Sequence, residues 1–477
     1  MKHSPVSRRQ FLQATGAAGL ALLAPSAAPK EIRPTINDVT GLNPVVVSNI
    51  VRPISTEEVN SALRNWKGSV SVGGGRFSMG GQIASPGSLH LDMRAMNRVL
   101  NYQPRERTIR VQAGMTWRAI QDHIDPHDQS VKIMQSYSNF TVGGSTSVNC
   151  HGRYVGRGPV INSIRALQVV MPAGEVLELS RTQNRELFSA VVGGYGGLAI
   201  ITEVELDLEP NETIERVVQA VALEDYPTFF QDEVLAKGTV VLHNADLAPP
   251  NFGHPTSISW IKTIKPVTEE KRLIPRGQPY SLEKNTIWAI SELPGGGDLR
   301  KAIDRRLFNT PAVVWQNYEA SLDTAALEPR TRSISTYVLQ EYFIPIAKFL
   351  PFARAMARIL RERDFGVLNV SIRHSPADNL TLLSWAPVDV FCFVIYFKQR
   401  VTQRASVAVE NWTRELVDAA LANEGRYYLP YRLHPTPAQF MRAYPEATQF
   451  LAMKKRIDPQ NRLRNMLWNR YLMPGSA

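Results

Sequence analysis

Strict two-residue alternation is clearest in "AIITEVELDLEP": Ile200, Thr202, Val204, Leu206 and Leu208 share one face, Glu203, Glu205, Asp207 and Glu209 the other, and Pro210 ends the run. That pattern predicts a strand with one buried face. "TIRVQAG" (Ile109, Val111, Ala113) and "LHLDM" (Leu89, Leu91, Met93) repeat it, and "GSVSV" is a shorter strand. "RALQVVMPAGEVLELS" predicts a hairpin turning at Pro172–Glu175. Helical spacing interleaves with these strands. Ser55 and Glu58 form a capping box, after which Val59, Leu63 and Trp66 fall on one face. Further on, Trp117, Ile120 and Ile124 do the same. Residues 38–212 therefore predict one α+β domain of many short strands.

The pattern fades over 213–330, where no usable motif stands out. It returns as a helix in "FARAMARILRER", with Phe352, Met356 and Ile359 inward. Strands follow in "VLNVSIRHS" and "FCFVIYFKQ", then a helix in "VENWTRELVDAALANEG" that stops at Gly425. This predicts a second α+β domain packed on the first. A chain of 477 residues is too long for one core, which agrees.

Composition changes the picture little. The chain is 44% apolar and 20% charged, with a net charge of +11. Its basic residues are scattered, which argues against a nucleic-acid footprint. Residues 1–28 carry Lys2, Arg8 and Arg9 without an acid, and the remainder is +8. Twin arginines, Phe11, Leu12 and a short small-residue apolar run to Ala24 resemble a twin-arginine export signal. That implies the Tat export machinery as a partner, export of a folded protein, and a periplasmic or extracellular destination. Cys150 and Cys392 make no disulfide framework and read as free thiols. No histidine or cysteine spacing suggests a metal.

"SVGGGRFSMGGQ", Ser71–Gln82, holds five glycines in twelve residues around Arg76. No Gly-Lys-Ser/Thr follows, so it is not a Walker loop, and Gly73-x-Gly75 lacks the third Rossmann glycine. A strand running into glycines can still make an anion nest. A second small-residue loop, "TVGGSTSVN" from Thr141 to Asn149, would supply the other half without a helix dipole. "GYGGLA" fits G-x-G-x-x-A but precedes a strand, so that match is spurious as a dinucleotide motif.

With "LHLDMRAMNRVL", "TIRVQAGMTWRAIQDHI", "TVGGSTSVNCHG" and "VVGGYGGLAIITEVELDLEP", the glycine stretch forms five ordered blocks. Together they resemble the vanillyl-alcohol-oxidase-type (PCMH) FAD domain over about residues 43–212. "AYPEATQFLAMKKRIDPQNRLRNMLWNRY" resembles the family's returning C-terminal segment. The resemblance implies an FAD-binding domain at 38–212, a substrate domain at 213–425 and a returning segment at 426–477. It puts Gly73, Gly74, Gly75, Arg76, Phe77 and Ser78 on one wall of the FAD site. Thr141, Val142, Gly143, Gly144, Ser145, Ser147, Asn149, His151 and Gly152 would form the other, with Ile200 and Ile201 offering backbone contacts. Many relatives carry, in place of Arg76, a histidine bonded to the flavin. Arginine cannot make that bond, so non-covalent FAD is expected; Arg76 would pair with phosphate or hold the loop.

Within the family, the chain resembles the sugar-oxidising branches, alditol and aldonolactone oxidases and decaprenylphosphoryl-ribose oxidase; the last shares the style of "GGGR", "TVGG…HG" and the terminal "YP…DP". That implies oxidation of a CH–OH group of a sugar, polyol, lactone or sugar derivative by hydride transfer to flavin N5. The electron acceptor would be dioxygen, a quinone or another carrier. Alternatives are a flavoenzyme acting on a carbon–carbon bond, of sterol-reductase type, and a non-catalytic electron carrier. Arg373, on a strand with Ser371 and Ser375 on the same face, would stabilise a developing alkoxide. Glu341 would bond a sugar hydroxyl, and His151 would lie near the flavin ring. Tyr428 matches the C-terminal Tyr-Leu-x-Lys of the decaprenylphosphoryl-ribose oxidase branch, but "YLPY" puts Tyr431 at the lysine position. An unperturbed phenol titrates near ~10 and is a poor base, which leaves the base open. His434 is a spare candidate or a surface residue. Cys150, just before "HG", would partly screen the flavin from dioxygen or simply pack.

Overall fold

In the computed structural model, the described residues are 33–292, 310–363 and 366–471, with a few more between 293 and 309. The export signal expected at 1–28 lies outside them. Four sheets organise the described chain. Ser55 caps the helix Thr56–Asn65 by accepting from Glu58 N–H, but Glu58 Oε2 accepts from Ile54 N–H, one residue before the expected capping-box partner. That helix crosses between parallel strands. Asn49–Val51 and Val70–Gly73 flank Leu89–Asp92, which is buried along its whole length because it lies between them.

The long alternating run is the strand Ile200–Pro210, central to a six-stranded sheet. Its apolar set is buried as expected. Its acidic face is held by cross-strand ion pairs: Arg110 Nε to Glu203 Oε2 at 2.6 Å and Arg165 Nε to Asp207 Oδ1 at 2.5 Å.

The weakly patterned region 213–330 corrects the sequence reading. It supplies four strands of an eight-stranded antiparallel sheet, Thr213–Ala220, Val240–Leu247, Thr256–Lys262 and Val313–Trp315. Short apolar runs broken by serine and asparagine hid them. The sheet continues through Val367–Ser375, Val390–Arg400, Ser335–Pro345 and Arg426–Tyr427. Strand period divides its two faces. Phe391, Phe393 and Phe397 pack with Phe349, Phe352 and Trp412 of the helices Phe349–Arg363 and Gln403–Ala422. The opposite face carries Asp246, Ser371, Arg373, Val394, Tyr396 and Glu341, and it lines a cavity.

The C-terminal residues return to the N-terminal sheets. Arg464 N–H bonds Val70 O at 2.9 Å, and Arg462 donates to Leu63 O and Trp66 O at the end of the first helix. Buried Lys454 donates to Gly197 O at 2.8 Å, Leu463 O at 2.9 Å and Asp458 at 3.0 Å.

Candidate active site

One cavity of about 550 Å³ runs from the glycine loops to the polar face of the eight-stranded sheet. Its first end is made mostly of backbone. After Val70–Gly73, the chain turns through Gly74 and Gly75 to Arg76, which adopts φ 66°, the left-handed region. Gly75 N–H donates to Thr141 Oγ1 at 3.2 Å, so the first loop is tied to the second. A Cβ at Gly74 would collide with that same hydroxyl. The N–H groups of Arg76, Phe77 and Ser78 find no acceptor among the described residues, as expected of an anion nest.

The second segment is a short helix, Val142–Ser147, and not the loop the sequence suggested. Gly143 permits it: a Cβ there would lie 2.6 Å from Ala113 Cβ. A third wall extends beyond the Ile200 and Ile201 contacts that were expected. Gly194, Tyr195, Gly196, Gly197, Leu198 and Ala199, the segment set aside as a spurious motif, line the cavity beside Ile200 and Ile201. It is no Rossmann turn, but its glycines let backbone approach; a Cβ at Gly197 would strike Trp468.

Of the expected cofactor residues, Gly74, Gly75, Arg76, Phe77, Ser78, Thr141, Gly143, Gly144, Ser145, Ser147, His151, Ile200 and Ile201 line the cavity. Gly73, Val142, Asn149 and Gly152 lie outside that lining. Gly73 is pressed on His90, and Val142 is in the core. Asn149 is turned away: its Nδ2 donates to Asp378 at 2.9 Å and its carbonyl accepts from Trp385 Nε1. Gly152 makes room for Met134 O. Arg76 holds its loop through Asp92, with Nη2 to Oδ2 at 3.2 Å; Arg94 and Arg52 share that carboxylate at 2.6 and 3.7 Å. Burial, then Arg94, lower the Arg76 pKa, and Asp92 opposes them.

The second end is made of side chains. Glu341, 2% exposed, accepts or shares a proton with His151 Nε2 at 2.6 Å and accepts from Tyr431 OH at 3.2 Å. His151 Nδ1 lies 3.3 Å from Gly152 O, which can only accept. A neutral ring protonated at Nδ1 therefore leaves the proton of the 2.6 Å bond to Glu341; one protonated at Nε2 donates to Glu341 instead. The first arrangement puts two protons on the pair; the second puts one, with the carboxylate ionised. Tyr428 OH is committed to Val148 O at 2.9 Å. Burial, then Glu341, push the Tyr431 phenol well up, while Arg373 acts against them. Arg373 lines the cavity, and its Nε is buried without a partner. Ser375 is buried, bonds Pro376 O and does not join it.

Three further groups had no usable sequence signal. Cys392 Sγ lies within 4.8 Å of the His151 and Glu341 ligand atoms, brought there by pairing opposite Arg373. Asn244 and Asp246 come from the strand overlooked above. His434 is neither spare nor surface: it is 6% exposed, and burial followed by Arg432 pushes it down to about 3. Both cysteines are free and buried, and burial raises the Cys150 thiol.

Such a cavity, with backbone donors at one end and a buried acid–imidazole pair at the other, suits a phosphate-bearing cofactor at the first end and proton transfer at the second. The comparisons carry this further. Residues 47–180 match the FAD binding domain family, residues 312–472 the D-arabinono-1,4-lactone oxidase family, and residues 5–25 the twin-arginine translocation pathway signal sequence. Decaprenylphosphoryl-beta-D-ribose oxidase of Mycolicibacterium smegmatis is 23% identical over 86% of this chain and 89% of its own. L-gulonolactone oxidase of Bos taurus is 29% identical over 34% of this chain and 37% of its own. Cytokinin dehydrogenase 1 of Arabidopsis thaliana is 27% identical over 42% and 38%. These last two matches span less than half of either relative. The chain is an FAD-dependent oxidoreductase, similar to the FAD binding domain family in its N-terminal half and to the D-arabinono-1,4-lactone oxidase family in its C-terminal part. Its signal marks it for export to the periplasm or beyond, and no helix among the described residues is long and apolar enough to cross a membrane. The donors and glycine clearances at the first end fit FAD.

Proposed function

We propose that this enzyme oxidises a CH–OH group of a sugar, polyol, lactone or sugar derivative. The observation that supports this best is the His151–Glu341–Tyr431 network, buried at the same cavity wall as Arg373, whose buried Nε has no partner among the described residues. Bound FAD supplies the two-electron acceptor. The chain's own groups supply the rest. Arg373 stabilises the alkoxide as the hydroxyl proton leaves. The His151–Glu341 pair takes that proton in the state where the pair carries a single proton on His151 Nε2 and the Glu341 carboxylate is the free acceptor. Tyr431 keeps the carboxylate in place, and Tyr428 braces the wall.

The reading includes non-covalent FAD, because the residue beside the nest is an arginine bonded to Asp92. Acid precipitation should release the flavin into the supernatant; flavin retained in the pellet refutes that part. Anaerobic mixing with sugars, polyols and lactones should bleach the flavin. Bleaching only by reduced carbon–carbon substrates would favour the rival chemistry, and none by any donor would favour a carrier.

A further inference from the structure

The cavity contains a carboxylate that the proposed chemistry leaves unused. Asp246 is half-buried in the strand Val240–Leu247 and lines the cavity. Its Oδ1 accepts from Asn244 Nδ2 at 3.2 Å, and no cation pairs with it among the described residues. The other acids of the lining are partnered: Glu341 by His151 and Tyr431, Glu328 by Arg332 at 3.1 Å.

Sheet register places this group. Asp246 stands opposite Ser371, Ser371 opposite Val394, and Val394 opposite Glu341. Asp246 and Glu341 are thus three strands apart, about 14 Å between backbones at ~4.8 Å per strand. Arg373 follows Ser371 by two residues, so it is the diagonal neighbour of Asp246 at about 7–8 Å. Asp246 is therefore remote from the Glu341–His151 pair that would take the reacting hydroxyl's proton, and placed to meet a group a few carbons away.

We propose that Asp246 determines specificity, accepting hydroxyl hydrogens from a polyhydroxylated substrate at carbons beyond the reacting one, beside the Asn244 amide and the Ser371 hydroxyl. The inference rests on the CH–OH reading. A carboxylate offers only acceptors, so it favours donors such as adjacent free hydroxyls. A carboxylate or phosphate of the substrate at that position would meet like charge.

The test uses the FAD-loaded enzyme, with polyols and sugars and their monodeoxy analogues as anaerobic donors and flavin bleaching as the signal. For the best donor, Asp246→Asn should raise KM about 10-fold or more with kcat within about 3-fold, the size expected of a lost hydrogen bond to a charged group. Preference for that donor over the analogue lacking the bonded hydroxyl should fall by the same factor. Asp246→Ser should behave alike, and both variants should keep their flavin and melting temperature. Equal effects on the donor and every deoxy analogue, a fall in kcat alone, or loss of flavin by both variants would overturn the proposal and leave Asp246 a scaffold charge. A proven polyol donor with unchanged KM in Asp246→Asn overturns this inference only. Failure of every polyhydroxylated compound to bleach the flavin overturns the CH–OH reading as well.

Discussion

The two ends of the cavity are built by opposite means. The cofactor end uses backbone: Gly74, Gly75, the short helix at Gly143 and the Gly194–Gly197 segment let main chain approach where side chains cannot fit. At the substrate end, four neighbouring strands each contribute side chains from one face of a sheet. Backbone sites tolerate little variation because they depend on clearance. Side-chain sites can change specificity without disturbing the frame, because the strand period holds each position whatever residue occupies it.

If this division is right, damage at one end should not mimic damage at the other. The largest separation is expected for Arg373→Met, which should keep FAD and fold yet lose about 10²-fold or more in turnover, as for one preorganised donor. Near-normal turnover on an established substrate would remove Arg373 from the chemistry. Next comes Gly74→Ala. Its new methyl collides with Thr141 Oγ1, which also anchors Gly75. The ratio of flavin to protein in the purified variant should drop while the melting temperature moves by only a few degrees; full flavin loading would show that the loop yields.

Acid separates the two ends from the frame that carries them. His90 and His374 are pushed down to about 4, and His243 and His434 to about 3, in each case first by burial. The unfolded chain binds protons at these residues near pH 6.5, the folded one only well below. The unfolded state thus holds more protons in that window, so stability is full above pH 6.5 and falls as pH drops toward 4 and 3. Denaturant midpoints measured from pH 7.5 to 4.5 should decline, and a flat profile would contradict the burial of these rings.

The smallest effect concerns the junction of the two ends. Cys150 lines the cavity, and burial raises its thiol pKa, which disfavours the nucleophilic thiolate. If it partly blocks dioxygen, Cys150→Gly should speed air reoxidation of the reduced flavin a few-fold while leaving reduction by substrate unchanged. No change in reoxidation would make it a packing residue only.

Legibility followed the same division. The cofactor loops were readable because clearance demands glycine, and glycine is visible in a sequence. Even so, "GYGGLA" was set aside as a dinucleotide motif and counted only as part of a family block, with no cavity contact named before Ile200, though Gly194–Ala199 line the cavity. Asn149 looked like part of a loop facing the cofactor, until its φ of 48° and its bond to Asp378 turned it into the scaffold. Glu341 and Arg373, singled out by resemblance, line the cavity, whereas Asp246 and Asn244 carried no signal and Cys392 was read only as a free thiol.

What the amino-acid order determined by itself was local: the alternation of Ile200–Pro210, the capped helix after Ser55, the glycine loops and the export signal. Each depends on neighbours within a few positions, where propensity and sterics act. Only the tertiary structure decided which acid meets which base. His151 and Glu341 are 190 positions apart, and their 2.6 Å contact exists because strand pairing brings one sheet face against the "HG" turn. Asp246 shares a register row with Glu341 through two intervening strands, a relation set by hydrogen-bonded pairing between distant segments that no local pattern encodes.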